Sequence, residues 1–137
     1  MRYSEGKMKT NQNLHIVYIE DDPEMVDLVA LILTRHGYKV SSAYSGPEGL
    51  EIIQKTLPDL ILLDIMMPDV DGWEVYQKLK RQQETKNIPT IIITAKSQPV
   101  DRVLGLHIAK ADDFIAKPFH PQELLESIER VLEKQKE

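Results

Sequence analysis

The chain has 137 residues, enough for one domain that buries about two thirds of its unfolded surface. With 42% apolar and 28% charged residues and a net charge of −5, it reads as a globular protein without the Lys/Arg clusters of a nucleic-acid surface. No cysteine is present, which excludes disulfide and thiol chemistry, and no apolar run approaches the ~18 residues of a membrane span; a cytoplasmic protein is expected.

Residues 1–13, MRYSEGKMKTNQN, lack the apolar core of a signal peptide and read as a flexible lead-in to a single domain over 14–135. LHIVYIE (14–20) predicts a short strand that ends in Glu20, Asp21 and Asp22. Asp22 is an expected N-cap with Pro23 at the first helical position, and Met25, Leu28, Val29 and Ile32 recur at helical spacing until Gly37. Tyr38–Ala43 predicts a second strand. Ser45 and Glu48 stand at capping-box spacing before a helix that presents Leu50, Ile53 and Leu57.

Leu60-Ile-Leu-Leu63 then forms an unbroken apolar run ending at Asp64, as expected of a strand buried on both faces. On that stretch alone, Asp64 reads either as a site residue at the carboxyl edge of a sheet or as a simple cap. A helix is expected over 72–83, buried through Trp73, Val75, Tyr76 and Leu79, and a strand over 89–94 that ends at Thr94. A helix near 100–109, a strand over 113–117 and a last helix from Pro121 complete the chain, the last turning Leu124, Leu125, Ile128, Val131 and Leu132 inward. Five strands alternating with five helices predict an α/β fold with a parallel sheet covered on both sides. In such a sheet Glu20, Asp21, Asp64, Thr94 and Lys117 all come to the carboxyl edge, where ligands bind.

The chemistry of that set is specific. Three acids in one small space repel one another unless a cation lies between them, and oxygen ligands with room for water suit Mg²⁺ or Mn²⁺. Lys117 adds a point charge and Thr94 a hydroxyl, so a phosphoryl group has its oxygens met, and a carboxylate nucleophile would yield an aspartyl phosphate.

Glu20-Asp21, Asp64, Thr94-Ala95 and Lys117-Pro118-Phe119, together with LLDIMMPDVDGWE, resemble the ordered signature of response-regulator receiver domains over about residues 13 to 135. The resemblance implies a flavodoxin-like doubly wound sheet of strand order 2-1-3-4-5. It also implies Asp64 as phosphoacceptor, and a Mg²⁺ site made by Asp21, Asp64, the Met66 carbonyl and, mainly through water, Glu20. Thr94 and Phe114 would be the switch pair, Lys117 the phosphate-pairing lysine, and Lys117–Pro118 a cis bond. Met66 and Lys96 match the positions that flank the path of a hydrolytic water. Expected partners are a histidine kinase or phosphotransfer protein and a downstream target or output domain, with no direct nucleic-acid or membrane contact.

Two departures stand out. Ala109-Lys110-Ala111-Asp112-Asp113-Phe114 lacks the family's usual glycine, and Ser127 stands where the winged-helix transcription-factor subfamily carries an arginine used for dimerisation. Asp112 and Asp113 read as solvated loop acids. His15, His36, His107 and His120 are not at ligand spacing and read as surface or capping groups, and Trp73 as partly buried packing near the site. Two other functions compete with the receiver reading. Asp69-Val-Asp71-Gly72 imitates the DxDG nucleophile motif of haloacid-dehalogenase-type phosphohydrolases, although Pro68 separates it from the strand, and a degenerate receiver would be a constitutive docking module.

Overall fold

The computed structural model describes residues 14–67, 70–95 and 110–136. Its strands are β1 (His15–Ile19), β2 (Lys39–Ala43), β3 (Leu60–Leu63), β4 (Thr90–Thr94) and β5 (Asp113–Ala116). The described helices are α1 (Pro23–Arg35), α2 (Gly46–Thr56), α3 (Gly72–Arg81) and α4 (Pro121–Gln135). The lead-in and the helix expected near 100–109 lie outside the described residues. The strands form one parallel sheet in the order β2-β1-β3-β4-β5, the doubly wound order expected from the resemblance.

The three central strands, β1, β3 and β4, are buried on both faces, and successive side chains alternate between two cores. Ile16, Tyr18, Leu62, Ile93 and Ile115 join α1 and α4 on one side. Val17, Ile19, Leu63, Ile92 and Phe114 join α2 and α3 on the other. Leu124, Leu125, Ile128 and Val131 are buried as expected, and Leu132 packs half-buried against them.

Two apolar positions turn out differently. Leu28 is 46% exposed, because the buried stripe of α1 is Val26, Val29, Ile32 and Leu33 and Leu28 lies round the helix from it. Leu57 is 51% exposed with φ 47°: it closes α2 in the left-handed region, donating its amide to the Ile53 carbonyl at 2.8 Å. Pro58 follows it, and a residue before proline is disfavoured in the helical region.

The caps place the loops at both edges of the sheet. Asp22 Oδ1 accepts from the Glu24 amide at 3.0 Å and starts α1 directly after the acids. Gly37, at φ 91°, ends that helix in a Schellman turn, with Tyr38 N–H donating to the Leu33 carbonyl and Gly37 N–H to Thr34. Ser45 Oγ accepts from Glu48 N–H at 3.3 Å, but Glu48 reaches back to the Tyr44 amide (2.8 Å) rather than to that of Ser45. The box is thus one residue wider than its spacing suggested.

After β3 the chain makes a two-residue antiparallel ribbon, Met66–Met67 with Val70–Asp71, that the sequence did not announce. Gly72 leaves the ribbon across Ile65, where an added Cβ would lie 2.2 Å from the Ile65 Cα. Only glycine permits that approach, and it pins the segment after Asp64 against the start of α3.

Candidate functional site

Parallel pairing puts the ends of β1, β3, β4 and β5 on one edge, and the ladder runs one residue past the strands, into the site itself. Asp64 N–H donates to the Ile19 carbonyl at 3.0 Å, and Lys117 N–H to the Thr94 carbonyl at 2.9 Å. Asp64 is thereby held beside Glu20, and Lys117 beside Thr94. The sequence places strongly polar groups here, yet they are sunk in the fold: Glu20 is 1% exposed, Asp64 2% and Thr94 0%.

Lys117 connects the acids. Its Nζ lies 2.6 Å from Glu20 Oε1 and 3.1 Å from Asp64 Oδ2, and the Lys117–Pro118 bond is cis, as expected. Burial pulls the ammonium's pKa down, but the bonds to Glu20 and Asp64 outweigh it and hold the lysine charged above its usual range. Burial pushes the Glu20 carboxyl up, and the nearby Asp64 adds to that against the opposing pull of Lys117. Asp64 Oδ1 accepts from the Met66 amide at 2.8 Å, which fixes the carboxylate's rotation.

Glu20, Asp21 and Asp64 each bring an oxygen within 4.8 Å of the other two, Asp21 being the more open. Hard carboxylate oxygens that close to one another, facing water on one side, fit a Mg²⁺ or Mn²⁺ ion that keeps part of its hydration. The acids, Thr94 and Lys117 are therefore brought together as the spacing predicted. Met66 supplies its amide to the site, while its side chain is 53% exposed beside it.

Phe114, expected as the aromatic of the switch pair, is 3% exposed in the α2/α3 core and stands opposite Ile92 in the register. Lys96 and His107 lie outside the described residues.

Of the two acids expected to be solvated loop groups, Asp112 is exposed but also caps a strand, and Asp113 is the half-buried first residue of β5. Asp112 Oδ2 accepts from the Thr90 amide at 2.8 Å. Asp113 is bonded by Ser127 Oγ (2.5 Å), the Phe114 amide (2.8 Å) and Arg130 Nη2 (2.8 Å). Burial alone would raise its pKa, but these three donors hold it below the usual carboxylate value. His36 and His120 do serve helix ends: His36 Nδ1 contacts the Ile32 carbonyl, and His120 begins α4 with its amide on Glu123.

One group at the site was missed altogether. Tyr18, fully buried, donates its hydroxyl to Glu20 Oε1 at 2.9 Å. The signal was available, since a tyrosine two residues before an acid shares its face of a strand. Trp73 is half-buried against Tyr76, edge to face with centroids 6.1 Å apart. Among the described residues, no helix is long and apolar enough to cross a membrane.

A doubly wound five-stranded sheet with three acids and a lysine gathered at its carboxyl edge defines a CheY-like α/β domain. Residues 16–129 match the response regulator receiver domain, and the chain belongs to that family. It is 40% identical over 117 residues to the DNA-binding dual master transcriptional regulator RpaA of Synechocystis sp., covering 85% of this chain and 48% of that protein. It is 42% identical over 120 residues to the response regulator ArlR of Staphylococcus aureus, covering 88% of this chain and 53% of that one. The chain thus spans about half the length of these curated relatives. Among solved structures, a CheY-like receiver domain protein from Methanospirillum hungatei aligns over 91% of this chain and 98% of its own, at 32% identity and a TM-score of 0.82. The BeF3-activated receiver domain of Klebsiella pneumoniae RstA aligns over 86% and 97%, at 34% identity and a TM-score of 0.78.

Proposed function

We propose that the chain is a phosphorylation-operated switch in the cytoplasm whose acceptor is Asp64. The observation that carries this reading is the Lys117 ammonium, held charged between Glu20 and Asp64 at the mouth of the acid cluster. A lone acid group would serve a cation; the lysine adds the means to meet a transferred phosphoryl group.

In the proposed step an Asp64 oxygen attacks the phosphorus of a phosphohistidine on a histidine kinase or phosphotransfer protein. The phosphorus–nitrogen bond breaks and the imidazole keeps the electron pair. The Met66 amide fixes the nucleophile's orientation, and Lys117 exchanges its bond to Asp64 for one to a phosphoryl oxygen. Asp21, Asp64 and the Met66 carbonyl would hold Mg²⁺, with Glu20 acting through water, and the ion would neutralise phosphoryl oxygens. Thr94, at the end of β4, is the donor placed to follow the new group.

Thr94 and Phe114 would pass the change to the face formed by β5 and α4, where a partner or output domain reads it. RpaA is described as DNA-binding, and this chain corresponds to only half of it. We assign nucleic-acid contact to the rest of such relatives and none to this domain. A DxDG phosphohydrolase is disfavoured because Asp71 lies in a two-residue ribbon rather than at the end of a core strand. A constitutive docking module has no use for the buried, lysine-paired acids.

Incubation with a small phosphodonor and Mg²⁺ tests the reading. One acid-stable, base-labile label per chain is expected, mapped to Asp64 by intact mass and peptide analysis. Turnover of generic phosphate esters, or label elsewhere, overturns it.

A further inference from the structure

Glu20 is buried, and its two oxygens are not equivalent. Oε1 receives the Tyr18 hydroxyl at 2.9 Å and the Lys117 ammonium at 2.6 Å, while among the described residues Oε2 receives only the Asp22 amide, at 3.2 Å. A carboxylate oxygen has about two in-plane lone pairs, so Oε1 is saturated. Asp64, by contrast, has one donor on each oxygen, the Met66 amide and Lys117, and keeps a lone pair on both. Tyr18 reaches Glu20 because both sit on the same face of β1, and its ring is clamped in the α1/α4 core with Ile16 and Leu62.

We infer that Tyr18 is a positioning residue which holds Glu20 back from bidentate coordination and so sets the site's preference for Mg²⁺ over Ca²⁺. The inference rests on the reading of the acid cluster as a divalent-cation site. Mg²⁺ tolerates few protein oxygens and keeps its waters, whereas Ca²⁺ gains from each additional carboxylate and accepts bidentate ones. With Oε1 saturated, Glu20 cannot become a bidentate ligand. The cation would then take its protein oxygens from Asp21, Asp64 and the Met66 carbonyl, with water in the other positions. That arrangement suits the smaller ion. Removing the phenol oxygen frees a lone pair on Oε1 and loosens the carboxylate's rotation, and the larger ion benefits.

The test is calorimetric titration of the wild type and Tyr18→Phe with Mg²⁺ and with Ca²⁺, each alone and without phosphodonor. Phenylalanine keeps the ring and its packing. Ca²⁺ affinity is expected to rise about tenfold in the variant while Mg²⁺ affinity changes less than about threefold, since ligand number separates the two ions. Equal shifts for both ions mark a merely structural role and overturn the inference, as does no shift in either. A wild type that binds neither ion overturns the cation-site reading itself, a result distinct from both. Should Tyr18→Phe fail to fold, ¹³Cζ-tyrosine NMR of the wild type decides. A Tyr18 signal unmoved by saturating Mg²⁺ supports the inference, and one that moves to the position of a released phenol overturns it.

Discussion

Acids stand at both edges of the sheet, yet they do opposite things. At the amino edge Asp59 and Asp112 precede β3 and β5, and each is bonded by the first amide of a neighbouring strand, His15 N–H at 2.7 Å and Thr90 N–H at 2.8 Å. At the carboxyl edge Glu20 and Asp64 are bonded by a lysine, a tyrosine and loop amides. The direction of a parallel sheet explains the difference. Its strands begin with N–H groups that need acceptors and end with carbonyls that offer no donor. An acid at the amino edge is therefore satisfied by the sheet itself and becomes a cap. An acid at the carboxyl edge must find its donors elsewhere, and a site that gathers a lysine for that purpose is ready for a phosphoryl group or a cation. The edge on which a carboxylate stands decides its role more than its residue type does.

The largest expected effect separates the edges outright. Asp64→Asn keeps the shape and folds, but takes up no phosphoryl label or beryllofluoride, while Asp59→Asn labels at the wild-type rate; intact-mass measurement of both reads the contrast. Label on Asp64→Asn, or its loss from Asp59→Asn, would break the comparison.

Next is Lys117→Met, which leaves two buried acids short of a donor. Removing one partner from a buried ion pair costs about 3 kcal/mol or more, and the residual exposure of Lys117 places this case at the low end. Urea unfolding is expected to show that loss, with part of it regained on adding Mg²⁺, since a ligand that binds only the folded state stabilises it. A variant as stable as the wild type would show that the acids do not depend on this lysine.

Third is the lifetime of the label. Met66 is half exposed beside Asp64, apolar, and unable to orient a water in line with the phosphorus. Met66→Asn is expected to speed loss of label about tenfold, equivalent to ~1.4 kcal/mol of barrier. Label decay in the purified phosphoprotein measures it, and an unchanged or slower rate would remove Met66 from control of water access.

The smallest effect tests an acid at the amino end of β5 that is tied to a helix. The folded-state pKa of Asp113 lies below the ordinary aspartate value, so its contribution is present above that value and is lost as pH falls through the lower folded one. Asp113→Asn is expected to lose about 1 kcal/mol at neutral pH. It should also show a flatter decline than the wild type as pH falls below the ordinary aspartate value. Parallel thermal-melt profiles of the two proteins would refute the assignment.

The strands and the edge carrying the site were legible because apolar runs ending in Glu20, Asp64, Thr94 and Lys117 encode both burial and direction, whereas the strand order came from the family resemblance. Less legible was anything set by contacts between distant segments. Leu28 and Leu57 carry the right residue type, but the turn of α1 and the left-handed close of α2 put them outside. Asp113 looked like a loop acid because Ser127 and Arg130, its partners, are a helix away. Tyr18 was hidden by ordinary expectation, since a tyrosine in a buried strand is usually read as core. Phe114 was placed by its neighbours in the register rather than by its own identity.

The Glu20–Lys117 contact joins residues 97 apart in the chain, the first strand to the last. If Asp64 is the acceptor, a chain emerging from synthesis carries it long before the site is complete, because the lysine lies near the end of the domain and must close a long loop to reach its partners. Competence to receive the signal is a property of the completed domain. On the proposed reading, an incomplete or locally opened chain presents the aspartate without its counter-charge and would not draw phosphoryl groups away from intact copies.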